Sequence, residues 1–277
     1  MSKRIAYFDC FSGASGDMLL GALLDAGLNL EDLQADLAML GVGGYAVRLT
    51  RQLRHGITGS KFDVLDQGEE RPARHLTHVR EIISRSGLAE PVVVCAIRVF
   101  ERLAEVEASI HGTTVDEVHF HEVGAVDSLV DIVGFCAGIH RLGIEELYAS
   151  PFPLGSGSVR TEHGLLPVPA PATLALLALA GAPTLPSGAQ GEMVTPTGAA
   201  LLTTLAHFGQ PPMTIHRVGY GFGTKEFPWP NMLRVWIGEW LEARPLTGLH
   251  PMGLAHEHAH GHQHHEPHDH EHHEHEH

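Results

Sequence analysis

The sequence predicts an α/β fold, a mixed sheet with helices packed on it, followed by a disordered C-terminal tail rich in histidine. Three observations carry this expectation. Residues 5–9 read as a buried strand that passes through a small-residue loop into an apolar helix over 18–26, stopped by Gly27. Val118-His119-Phe120-His121 alternates apolar and polar residues. After Gly124 the apolar positions Val126, Leu129, Val130, Val133 and Ala137 switch to helical spacing. Residues 256–277 hold twelve of the chain's 23 histidines and six carboxylates but no Lys or Arg. Such a segment has too little apolar surface to offset the entropy of ordering.

The elements between follow in order. A second short helix is expected over 30–40. Residues 45–53 and 57–65 alternate and join around His55-Gly56, which predicts a hairpin. Residues 67–74 form a polar connector, and 76–84 a helix, with His75, Arg80 and Arg85 facing solvent. The most regular helix covers 92–110, with Val92, Val99, Leu103, Val106 and Ile110 as its core stripe and His111-Gly112 as its stop. Thr114 and Glu117 suit a capping arrangement before the central stretch. The helix after Gly124 carries Asp127, Asp131, Gly134 and Gly138 on one stripe, the glycines fitting close helix packing. A strand is expected over 147–154, a proline-fixed segment over 167–171 and a helix over 172–180. Thr195 and Pro196 signal the start of another helix, 199–208. A strand over 213–218, a glycine-rich turn from Gly219 to Lys225 and a strand over 233–240 close the core. Residues 1–248 are thus the folded part, as one domain or two subdomains, and 249–277 the tail.

Composition narrows the function. A formal charge of −15 argues against nucleic acid as the main partner and fits a protein that handles cations. No apolar run is long enough to span a membrane. The first residues enter a strand pattern without a signal-peptide core, so a cytoplasmic protein is expected. Cys10, Cys95 and Cys136 have no paired spacing, which fits a reducing compartment.

Four groups of residues could carry chemistry. On a strand, His119 and His121 point to one side; with Glu122, Asp127 and Asp131 close behind, imidazoles and carboxylates can converge on a metal such as Ni, Zn, Cu or Fe. The plainer reading makes the histidines core residues, Asp127 a helix cap and Glu122 a loop residue. In the tail, His258, His260, His262 and His264 exemplify alternating imidazoles that bind divalent Ni, Zn, Cu or Co; an expression tag is the plainer reading, disfavoured by the interleaved Glu and Asp. The loop Ser12, Gly13, Ser15, Gly16 before a helix presents backbone N–H groups to an anion, and Asp9 and Asp17 beside it suit a phosphate that carries a metal; an ordinary βα turn is the alternative. Gly221, Gly223 and Lys225 form a second, weaker anion candidate. His163, beside Gly164 and before the prolines, is a further functional candidate.

Together these stretches resemble a known family. Residues 7–18 (YFDCFSGASGDM), 118–128 (VHFHEVGAVDS), 162–173 (EHGLLPVPAPAT), 194–198 (VTPTG) and 218–223 (VGYGFG) occur in one order, covering roughly residues 4–238. They are similar to nickel insertion proteins that complete the nickel-pincer cofactor of lactate racemase. The resemblance implies a cyclometallase. It would insert nickel into pyridinium-3,5-bisthiocarboxylic acid mononucleotide, forming two nickel–sulfur bonds and one nickel–carbon bond, with CTP hydrolysis that uses Mg or Mn. It implies a transfer site at His119, His121, Glu122 and Asp127, with Glu122 or His163 accepting the ring proton. The implied partners are the mononucleotide, the lactate racemase apoprotein and a CTP-binding C-terminal domain, expected here as a separate chain; a homo-oligomer is compatible with the sequence. Two departures stand out: the histidine-rich segment is terminal rather than internal, and the CTP-binding domain is missing from the resemblance. A nickel-binding chaperone or store, and a metal-dependent phosphohydrolase built on His119, His121 and Asp127, are the alternatives.

Overall fold

The computed structural model describes residues 3–67, 74–120, 126–161 and 163–241. They belong to a compact unit, Met1–Glu242. Strand β1 (Arg4–Asp9) leads into α1 (Gly16–Asp25) and α2 (Leu30–Ala38), whose first turn is closed by Asn29 accepting from the Asp32 N–H at 3.0 Å. The expected hairpin forms as β2 (Tyr45–Arg54) and β3 (Ile57–Asp66), paired antiparallel along their full length. Then follow β4 (Arg74–His75), α3 (Leu76–Ser84) and α4 (Glu90–His111), which ends on Gly112 in the left-handed conformation, φ 64°.

β5 (His119–Phe120) is only two residues long and pairs with β4, and α5 (Val126–Arg141) is the helix that the central stretch announces. The expected strand over 147–154 is two strands, β6 (Glu146–Ala149) and β7 (Phe152–Ser156), in different sheets. Pro151 stands between them and has no N–H to give a ladder. β8 (Ser158–Thr161) and β9 (Gly164–Pro167) form a small hairpin, followed by α6 (Pro171–Ala180) and β10 (Thr184–Gln190). Helix α7 (Pro196–Leu205) begins as Thr195 and Pro196 predict, with Thr195 Oγ1 accepting from the Gly198 N–H at 3.2 Å. It stops earlier than expected, and residues 206–208 become an edge strand, β11 (Ala206–Phe208).

The last two strands, β12 (Met213–Phe222) and β13 (Met232–Trp240), complete a seven-stranded mixed sheet ordered β11-β6-β1-β13-β12-β3-β2. β12 runs on through Gly219, Tyr220, Gly221 and Phe222, so the expected glycine-rich turn is mostly strand. The cause is α1, which packs on β3, β12 and β13. A Cβ at Gly221 would sit 1.9 Å from the Met18 carbonyl oxygen, and one at Gly219 would sit 2.1 Å from that of Ala22. Glycine lets helix and strand backbones approach to contact. Helix α5 packs on α1, and α4 on α5, α6 and α7. Phe8, Phe100, Phe120, Phe135 and Phe152 fill this interior, with the Phe8 and Phe135 rings 5.4 Å apart. No helix among the described residues is long and apolar enough to cross a membrane.

Candidate functional site

The β1–α1 loop and the segment before α7 clasp each other. Ala14 N–H donates to the Met193 carbonyl at 3.0 Å, and Thr195 N–H donates to the Ala14 carbonyl at 3.0 Å. Gly13 takes φ 103°, and a Cβ there would fall 1.9 Å from Met193 O. This clasp sets the N-termini of α1 and α7 side by side. The start of α5 comes up against them, because Gly16 lies so close to Asp131 that a Cβ would be 2.2 Å from Oδ2.

Three helix N-termini thus surround one cavity of about 340 Å³. Asp17, Lys61, Asp63, Asp127, Asp131 and Thr195 face it. The Lys61 side chain is only 5% exposed, and its ammonium lies 2.6 Å from Asp17 Oδ2 and 3.1 Å from Asp63 Oδ1. It also donates to its neighbour's carbonyl, Phe62 O, at 2.8 Å. Burial pushes Asp63 up, but Lys61 and Arg48 outweigh it and hold the carboxyl below its ordinary range.

Asp131 behaves oppositely. Burial first, then the charges of Asp17 and Asp127, push it well above the carboxylate range, and Lys61 offsets only part of this. Among the described residues its buried Oδ1 atom has no hydrogen-bond partner. Asp127 is more open to solvent. It too is raised, by burial first and then by Asp66 and Asp17, against a hydrogen bond from the Ser128 N–H at 2.8 Å. The cavity therefore combines helix N-termini and an ammonium, which attract anions, with carboxylates that attract cations. An anion that carries a divalent cation satisfies both halves. Among the described residues no three His, Cys, Asp or Glu side chains already form a metal-holding group.

A second cavity, of about 240 Å³, shares Pro196 with the first. Ile110, Leu166, Pro171 and Ala172 give it apolar walls, and Glu107, His111 and His163 face it. The His111 and His163 rings have centroids 4.9 Å apart.

The expected site residues divide accordingly. Ser15, Gly16, Asp17 and Asp127 line the acidic cavity, and His163 lines the second. Asp9 lies opposite Arg234 on the paired strand, is ion-paired with it, and lines neither cavity. Ser12 is fully buried and accepts from the Trp229 indole N–H at 3.0 Å. Gly13 is packed under Met193 as described. Gly221 meets α1, a Cβ on Gly223 would be 2.6 Å from Asn231 Nδ2, and Lys225 donates to the Glu192 carbonyl at 3.2 Å. These three serve packing and turn geometry rather than lining the cavity. The His119 backbone pairs with His75 in β5 and β4. His121, Glu122, His258, His260, His262 and His264 lie outside the described residues. Sequence reasoning missed Lys61 and Asp63 as members of the first cavity and Glu107 and His111 as members of the second. The four-residue spacing of Glu107 and His111 on a helix was the available signal for the latter.

Residues 6–274 match the family described as nickel insertion protein. Two relatives named "Putative nickel insertion protein" are 54% identical over 237 residues, in Thermomicrobium roseum, and 52% identical over 236 residues, in Roseiflexus castenholzii. Each match covers 85% of this chain, and 58% and 60% of those proteins. The pyridinium-3,5-bisthiocarboxylic acid mononucleotide nickel insertion protein of Desulfitobacterium hafniense is 50% identical over 238 residues, 85% of this chain and 58% of that protein. The chain thus spans about three fifths of the relatives it matches. No solved structure matches it.

Proposed function

This chain belongs to the nickel insertion protein family, and from that premise we propose that it inserts nickel into pyridinium-3,5-bisthiocarboxylic acid mononucleotide. The observation that carries the reading is the meeting of Asp17, Asp127 and Asp131 with buried Lys61 at three helix N-termini. A mononucleotide brings a phosphate, and nickel insertion brings a divalent ion. The N-termini and Lys61 suit the phosphate, and the carboxylates suit a cation bound to it. The ring carbon that bonds nickel must lose its proton, and Glu122 or His163 accepts it in this reading. His119 and His121 supply exchangeable imidazole ligands for the incoming nickel, and the tail histidines His258, His260, His262 and His264 collect it.

CTP with Mg or Mn belongs, in this reading, to the part of the relatives that the match does not cover, and the lactate racemase apoprotein receives the product. The test is direct. The chain is incubated with nickel, the mononucleotide, CTP with Mg and the C-terminal part of a full-length relative, and mass spectrometry follows the gain of nickel with loss of the ring proton. Alanine at both His119 and His121, or Asn at both Asp127 and Asp131, should abolish the gain. Unchanged product from both double variants would sink these site assignments, and no gain of nickel by the unaltered chain's substrate would sink the proposed activity. Nickel uptake by the chain with no product would favour a nickel store, the reading that the twelve histidines of residues 256–277 support.

A further inference from the structure

We infer that His111 and His163 form a two-imidazole binding site for the nickel ion in transit, placed where the flat ring of the substrate lies. This rests on the proposed insertion activity for the identity of the metal, but not for the existence of the site. His111 ends α4, and Glu107, one turn earlier, holds its Oε2 3.4 Å from His111 Nε2. A carboxylate behind an imidazole fixes the ring and strengthens the other nitrogen as a ligand. His111 Nδ1 is then the atom for the metal. The C-terminus of α4 adds a partial negative charge beside it.

His163 arrives from a different part of the chain, the turn between β8 and β9, where its N–H donates to Thr161 Oγ1 at 3.1 Å. The two rings stand 4.9 Å apart, tilted by 45°. That separation suits two imidazoles directed at one ion. Two protein ligands would be a poor structural metal site, which closes its coordination shell with four. Among the described residues the pair brings two imidazole ligands, which suit a metal that must leave and pass to the sulfur and carbon donors of the substrate. The apolar walls from Ile110, Leu166, Pro171, Ala172 and Pro196 accommodate an aromatic ring. Pro196 also borders the acidic cavity, so a ring in one cavity can carry its phosphate into the other. His163 then acts as a ligand, and of the two proton acceptors proposed above Glu122 is the one that takes the ring proton.

The test measures thermal unfolding of the full chain as nickel chloride is added. Ligands that exist only in the folded state raise the midpoint; neighbours in sequence, such as the tail histidines, bind in the unfolded chain too and stabilise both states alike, leaving the midpoint in place. The midpoint should climb by roughly 5 °C or more at a hundredfold excess of nickel over the dissociation constant. His111→Gln and His163→Gln should each lose that climb, measured from their own nickel-free midpoints. Glu107→Gln should need at least about tenfold more nickel, and His207→Gln should behave as wild type. Nickel-edge anomalous diffraction from soaked crystals of the wild type should show a peak between the two rings. A full climb in both histidine variants, or no peak at the pair, would overturn the site. A peak and climb without product in the insertion assay would overturn the proposed activity and leave the site standing. Wild-type insertion rates in both variants would overturn the transit role.

Discussion

The Lys61 ammonium lies 2.6 Å from Asp17 Oδ2, and this pair joins strand β3 to the first turn of α1 inside the acidic cavity. Lys61 is nearly buried, whereas the Asp17 and Asp63 side chains keep 23% exposure. Removing the cation leaves carboxylates facing one another across a cavity. Breaking such a pair from one side costs about 3–5 kcal/mol when fully buried. With the carboxylates partly wet, Lys61→Met should cost about 2 kcal/mol. Urea unfolding at pH 7 should show a lower midpoint with an unchanged slope.

Asp131 makes stability depend on pH. Its folded carboxyl is held well above the ordinary value by burial and by Asp17 and Asp127. Between the unfolded value and that raised one, the folded state binds more protons, so the group's contribution falls as pH rises through this window. Asp131→Asn removes the loss. The variant should be more stable than wild type at pH 7, on the order of 1–2 kcal/mol, and the advantage should vanish below the ordinary carboxylate range. Equal stability gains at pH 3 and pH 7 would rule out titration as the cause.

Gly221 shows which parts of this fold were readable in the sequence. The hairpin of β2 and β3, the long α4 and the strand-to-helix change before α5 follow from periodicity alone. Each element satisfies its own backbone and shows one apolar face. Gly221 could not be placed that way, because its reason is a helix 200 residues earlier in the chain, whose Met18 carbonyl approaches its backbone. Lys61 was hidden likewise: within an alternating strand it reads as a solvent-facing residue, and only folding brings Asp17 to it. His111 read as a helix stop, since its partner His163 lies beyond α5. Asp127 was readable because its motif is contiguous. Gly221→Ala puts a methyl against backbone that cannot yield and should cost about 3 kcal/mol. If Gly221 served an anion instead, the variant would keep wild-type stability and lose nucleotide affinity; thermal unfolding and binding isotherms separate the two.

The tail and the folded unit should separate cleanly. Among the described residues the hydrophobic core runs from Ala6 to Ile237, and residues 250–277 hold few large apolar side chains beyond Met252 and Leu254, so their deletion is expected to spare the core. Surface changes of this kind stay within about 0.5 kcal/mol, and the unfolding midpoint without nickel should not move. The deletion also removes thirteen of the 23 histidines, all of them close in sequence. Nickel bound per chain, measured by equilibrium dialysis, should therefore drop to what the folded unit holds. If the chain is an insertase, the truncated form needs more nickel but reaches the same product yield when nickel is abundant. If it is a store, its capacity goes with the tail and no product appears at any nickel concentration. A truncated chain that bound as much nickel as the whole would show that the tail is not the collecting site, and would move that role to the imidazoles of the folded unit.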